Sequence, residues 1–302
     1  MKVPATFRGR LAVIVGFGAL LRIALLVHRW DRPLKLNDSI WYSGVATGLR
    51  HGQFFRSLIR DAPTAEHPPL TSLLMAPLSF LHDPVQGQRL TTTLFGIALV
   101  AVIGVLGKRL GGPRVGLITA AVAAIYPNLW VHDGLVMAES IAAVFIVLWM
   151  IAMLRLFERP SVQRAAAVGA IAGVAALTRS ELVLLMVASA AIVLILSRQR
   201  TAFVRVAAML IATVLVLMPW TIVNLARFEK PVLLTTNDGT TLRGAYCDDV
   251  FYGADKGGWT IFCLGPETDK DDSIRAARQR SEAIAYARSH EKRLPTVIVA
   301  RL

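Results

Sequence analysis

Two polar clusters interrupt an otherwise apolar chain. Asn37-Asp38-Ser39, with Tyr42 after it, follows the first long apolar run, and Glu66-His67-Pro68-Pro69-Leu70 precedes the next amphipathic stretch. A carboxylate within hydrogen-bond reach of a hydroxyl can take its proton as the oxygen attacks an electrophile. A membrane anchor needs only a short polar link at such places, so the placement points to chemistry at a membrane surface. Asp38 is equally suited to cap the helix expected from Ser39, because Asp is a favoured N-cap; the residues alone leave both roles open. Further along stand Glu139, after His132 and Asp133, and Arg179, in Thr178-Arg179-Ser180-Glu181. A guanidinium suits bidentate phosphate binding, and pairing with Glu181 is its competing role.

The elements that position these residues follow from composition. Of 302 residues 55% are hydrophobic, and the mean hydropathy is +0.54. Long apolar runs recur, which defines an all-α polytopic membrane protein. The net charge of +13 would suggest nucleic acid in a soluble protein. Here Lys and Arg collect in short loops as orientation signals and anionic-lipid contacts, and no nucleic-acid motif is present. The N-terminus carries Lys2, Arg8 and Arg10 before an apolar run without a small-residue cleavage site, so it reads as an uncleaved first helix.

Seven segments are apolar enough to span: Leu11–His28, Arg89–Gly107, Val115–Val131, Glu139–Phe157, Ala165–Thr178, Glu181–Ser197 and Val204–Leu225. The fifth is short and rich in Ala and Gly, and should be buried among its neighbours. Arg22 lies inside the first span. A charge there costs roughly 2.5–3.5 kcal/mol on insertion scales, so the side chain should face protein or water, or snorkel, and snorkelling is the expectation. Lys108, Arg109 and Arg114, then Arg155, Arg159 and Arg164, then Arg198, Arg200 and Arg205 fall in alternate loops with the basic N-terminus. The positive-inside rule makes that side cytoplasmic. The outer side then receives residues 29–88, the His132–Ala138 turn, the Thr178–Ser180 turn and everything after Arg227, in a plasma (inner) membrane.

Within the first outer loop, Trp41, Val45 and Leu49, and Leu70, Leu73, Leu74, Leu78 and Leu81, keep helical spacing. They describe two short interfacial helices, the second started by Pro68-Pro69. The seventh span should end near Pro219-Trp220, with Trp220 in the aromatic belt. Residues 1–227 thus form a transmembrane module and 228–302 an extracytoplasmic segment, expected to be truncated because the apolar run from Leu294 stops at Leu302. In that segment Val232-Leu233-Leu234 is strand-like, Thr235 to Gly239 a turn, and Asp271 to His290 a basic amphipathic helix. Cys247 and Cys263, the only cysteines, read as a disulfide in an oxidising compartment, with two separate thiols as the alternative. The loop of about 15 residues would contribute ~3 kcal/mol.

An acidic motif after span one and a His-Pro-Pro-Leu turn between two interfacial helices resemble the GT-C superfamily of membrane glycosyltransferases, in its protein O-mannosyltransferase and aminoarabinose-transferase branch. The run Asp238 to Cys263 resembles the outer segment of actinobacterial members. The family's paired first-loop acid is Ser39 here. The resemblance implies an inverting transfer of a mannose-like sugar, or a modified pentose or hexose, from a polyprenyl-phosphate carrier to a lipid, glycan or protein acceptor at the outer face. It makes Asp38 the catalytic base and Tyr42, His67, Glu139 and Arg179 substrate-binding residues, with Arg179 on the phosphate. Glu139 competes as a complement to its helix dipole, His67 as a structural residue beside its prolines, and Glu66 reads as a solvated charge.

No cofactor is implied. Some relatives use divalent cations, but His132-Asp133, Asp248-Asp249 and Asp269/Asp271 lack a strong ligand spacing. No phosphate-binding loop or dinucleotide glycine pattern occurs, which argues against ATP or nucleotide sugars. Two alternatives stay open: a non-catalytic or truncated scaffold of the same fold, and a lipid or solute transporter, which would place ionisable residues in mid-span.

Overall fold

The computed structural model describes residues 6–35, 37–60, 62–197, 201–266 and 269–301; Lys2, Leu36, Arg198, Arg200 and Leu302 lie outside them. Among the described residues no strand forms, and the one isolated bridge joins Arg56 and Pro63. The chain divides into two compact units. One comprises Met1–Phe54 and Pro68–Met218, the other Phe55–His67 and Pro219–Leu302.

Each expected span lies on a helix for most of its length, and the third is broken at Tyr126. Helix α1 (Phe7–Arg29) is capped by Thr6, whose hydroxyl accepts from the Gly9 N–H. The two stretches of the first loop are α2 (Asn37–Arg50) and α3 (Leu70–Met75), the latter continued by a 3-10 turn over Ala76–Phe80. Asp83 caps α4 (Pro84–Ile125), which is two arms rather than one rod. Gly111 and Gly112 leave helical geometry, Gly112 at φ 82°, and Pro113 starts the second arm. Only glycine takes that φ without strain, and proline suits a first helical turn. The arms fold together where Gly107 meets Gly116 and Thr119. After the single turn α5 (Pro127–Trp130) come α6 (Glu139–Glu158), α7 (Val162–Ala176), α8 (Leu184–Leu196) and α9 (Thr201–Arg227).

Packing follows the apolar stripes. Leu11 of α1 meets Val100, Ala120 and Ala124 of α4. Leu99 and Leu106 meet Val144, Val147 and Ile151 of α6. Helix α7 buries Ala165, Val168 and Ala172 in a cluster with α6, α8 and α9. A Cβ on Gly169 would collide with the Met209 backbone, so α7 and α9 touch through their main chains, as small residues allow in membranes. Outward faces stay apolar: Phe17, Leu20 and Val27 on α1, and Phe203, Ile211 and Leu215 on α9, are exposed. Helices α1, α4, α6 and α9 are long and apolar enough to cross a bilayer, and α7 and α8 are shorter apolar helices. The protein is an all-α, multi-pass membrane protein.

The second unit corrects several sequence expectations. Val232–Leu234 forms no strand, because the Leu233 and Leu234 carbonyls accept from the Thr221 hydroxyl and the Trp220 indole N–H instead of a neighbouring strand. That bond, with Phe55 packed on the ring at 4.8 Å, buries Trp220, so it is not a belt residue. Helix α9 also continues through Pro219 to Arg227. The expected turn after Thr235 is instead the start of α10 (Asn237–Ala245). Asp271 caps α12 (Asp272–Ser289), the basic amphipathic helix. Cys247 and Cys263 are joined by a disulfide beside the short α11 (Asp248–Phe251), and Val250, Phe251 and Val297 of α13 (Leu294–Arg301) pack with Cys247.

Candidate active site

The first unit gathers four of the five candidate residues. Asp38 lies in the first turn of α2, already inside the helix rather than at its cap, and is exposed. Tyr42 is one turn on, on the same face, and is buried. Helix α2 is held from two sides. The Ser72 hydroxyl of α3 donates to the Tyr42 carbonyl, and the Gln88 amide of α4 donates to the Ser43 carbonyl and to the Thr47 and Ser79 hydroxyls. The start of α3 is tied to the end of α7 by the Leu70 N–H on the Leu177 carbonyl at 2.8 Å. Two residues later the chain presents Arg179.

Arg179 bridges two acids. Its Nη1 lies 2.7 Å from Oε1 of Glu139, the first residue of α6, and its Nε lies 2.6 Å from Oε1 of Glu181. Burial works to lower the Arg179 pKa, but the hydrogen bond and charge of Glu181, with the charge of Glu139, outweigh it and raise the value. The guanidinium therefore stays charged throughout any working pH range. The Tyr42 phenol lies within electrostatic reach of Asp38, Arg179, Glu139 and Glu181. Burial first, then the Asp38 charge, push its pKa well up, so the group is a neutral hydroxyl. The cluster sets two carboxylates on one guanidinium beside a phenol that also feels the Asp38 charge, half-open to solvent. It can order polyol hydroxyls and accept a proton from one of them.

His67 falls in the second unit, buried at the end of a tethered segment. Asp272 of α12 accepts from Arg60 at 2.6 Å and from the Thr64 hydroxyl at 2.7 Å. The Thr236 N–H donates to the Ala65 carbonyl, and the Thr235 hydroxyl donates to the Glu66 carbonyl. Glu66 is not simply solvated, since its carboxylate faces Arg275 at 3.9 Å.

Arg22 overturns the expectation of snorkelling. Its Nε lies 2.8 Å from Oδ2 of Asp133, and neither side chain is exposed at all. The remaining nitrogens donate to the carbonyls of Gly18, Ala123 and Ala124. The side chain turns inward because a protein carboxylate and three carbonyls satisfy it there, whereas reaching the interface would leave Asp133 buried and uncompensated. The His132–Ala138 connection is accordingly a buried loop rather than a plain turn. Arg29 donates to the Val131 and Asp133 carbonyls, both at 2.8 Å, and Arg89 to the Gly134 carbonyl at 2.6 Å. Val136 is buried at φ 61°, a costly backbone for a β-branched residue. Sequence reasoning missed this arrangement, although an arginine inside an apolar span and an aspartate just outside another were the available signal.

Residues 66–223, more than half of the chain, match a family model described as dolichyl-phosphate-mannose-protein mannosyltransferase. The matched region holds Glu66, His67, Glu139 and Arg179; Asp38 and Tyr42 precede it. No curated protein and no solved structure matches the chain. Together with the multi-pass helical module and the acidic cluster at its helix ends, that match places the chain in the dolichyl-phosphate-mannose-protein mannosyltransferase family, glycosyltransferases of the GT-C type.

Proposed function

We propose that the protein transfers a sugar from a polyprenyl-phosphate carrier to a hydroxyl acceptor at the outer membrane face, with inversion. The observation that carries the reading is the convergence of Asp38, Tyr42, Glu139 and Arg179, from three separate stretches of chain, on one electrostatic cluster. The acceptor oxygen attacks the anomeric carbon, and the bond from that carbon to the phosphate oxygen breaks with its electron pair. The phosphate leaves without a general acid, because it is already a stable anion. The acceptor proton passes to Asp38, whose exposed carboxylate is reachable by a substrate. Nη2 of Arg179, the nitrogen outside its two carboxylate contacts, takes a phosphate oxygen. Glu139 and the Tyr42 hydroxyl order sugar or acceptor hydroxyls, and His67 holds its own loop.

The basic loops support a cytoplasmic N-terminus and an extracytoplasmic 228–302 segment in the plasma membrane. The disulfide between Cys247 and Cys263 agrees with an oxidising outer compartment. A transporter fits less well, since its mid-span charges should line a path, whereas Arg22 and Asp133 close on one another without exposure. The test supplies purified protein in lipid nanodiscs with a panel of radiolabelled polyprenyl-phosphate sugars and membrane extract as acceptor. The expected result is label on the acceptor, release of polyprenyl phosphate, and an anomeric configuration opposite to the donor's. A retained configuration refutes the single displacement, and no transfer from any donor favours the scaffold.

A further inference from the structure

The buried carboxylate of Asp133 does more than neutralise Arg22. One oxygen takes the Arg22 Nε, and the other accepts from the Ser140 hydroxyl, in the first turn of α6 immediately after Glu139. The carboxylate sits in a slot on α4: a Cβ added to Gly96 would collide with both of its oxygens. Neighbouring carbonyls are fixed by Arg29 and Arg89, and the Gly134 N–H donates to the Thr92 hydroxyl of α4 at 3.1 Å. Helices α1 and α4 thus grip both the loop and the first turn of α6, the point from which Glu139 reaches Arg179.

We infer that Gly96, Arg22, Asp133 and Ser140 form a clamp that sets the position of Glu139, and that they are positioning residues for glycosyl transfer. The inference rests on Glu139 taking part in the site, as proposed above. None of the four is needed to touch substrate; each acts through the start of α6. A displacement of about 1 Å at a reacting centre can cost about a hundredfold in rate, so a device that pins α6 from the membrane side has kinetic consequences at the site.

The test uses the full chain in nanodiscs, carrying Gly96→Ala, Ser140→Ala or the control Gly16→Ala, a site with open space around it. Two readouts are taken. Steady-state transfer should show kcat falling about tenfold or more for Gly96→Ala and Ser140→Ala, with KM for the donor within about twofold, while Gly16→Ala matches wild type. Backbone hydrogen exchange over residues 132–142 should quicken in the same two variants while protection in α7 and α9 is kept, which separates loss of positioning from loss of fold. The exchange readout needs no activity, so it judges the clamp even where no donor is turned over. Wild-type exchange over 132–142 in Gly96→Ala would overturn the clamp. Quickened exchange with unchanged kcat would overturn its role in positioning.

Discussion

Replacing Asp133 by Ala leaves the Arg22 guanidinium buried with three carbonyl partners and no counter-charge. Removing one member of a buried pair costs about 3–5 kcal/mol, because the surviving charge keeps its desolvation penalty. No discount for solvent screening applies, since both side chains are fully covered. Arg22→Met should cost a similar amount by orphaning the carboxylate. The double variant loses both charges together and should fall short of the sum by about 2–3 kcal/mol, the upper range of measured pair couplings. The assay is a reversible unfolding titration in mixed micelles of the four proteins of this cycle. A snorkelled arginine would instead give a loss under about 1 kcal/mol for Asp133→Ala, as solvated pairs do. That result, or additivity of the two single variants, would refute the buried pair.

Three further outcomes follow from the packing. Gly169→Val forces a side chain against the Met209 backbone and should destabilise the first unit by about 1–3 kcal/mol or more, read by the same titration. Reducing the bond between Cys247 and Cys263, or replacing both by Ser, should cost the second unit about 3 kcal/mol and speed its proteolysis, with the spans left intact. Burial acts to raise the Asp271 pKa, but hydrogen bonds from the Ser273 hydroxyl and from the Glu229, Ser273 and Ile274 N–H groups outweigh it and hold the value low. A lowered folded-state pKa gives stability that is present above about pH 4 and lost as pH falls through that region. Protection of the α12 amides should therefore drop on acidification, and Asp271→Ala should remove the dependence.

The spans were legible because membrane helices must be apolar over most of their length, and that signal survives without tertiary knowledge. The break between the arms of α4 was legible as the basic stretch Lys108, Arg109 and Arg114 between two apolar runs, while the part played by Gly111-Gly112-Pro113 is seen only in the structure. Legibility failed where satisfaction of polar groups depends on distant partners. Arg22 meets a carboxylate 111 positions away in sequence, so the span alone could not name a protein partner and pointed first to an exit to water. Val232–Leu234 has β-branched and apolar residues at strand-like spacing, but its carbonyls are taken by side chains of α9. A cap was one of the two roles open to Asp38, because Asp favours caps, whereas the helix begins one residue before it. The candidate site was found in part: Glu139 and Arg179 were singled out separately, and their direct contact became visible only with α6 and α7 in place.

The most direct test of the central claim compares wild type with Asp38→Asn in single-turnover sugar transfer, with donor affinity measured on the same preparations. Asparagine keeps the size and the helix position of Asp38 but cannot take a proton at working pH. The account predicts donor binding within about twofold of wild type and a transfer rate reduced by about 10²–10⁴-fold, the usual contribution of a general base. Transfer at the wild-type rate in Asp38→Asn would contradict it and move the base elsewhere in the Glu139–Arg179–Glu181 cluster.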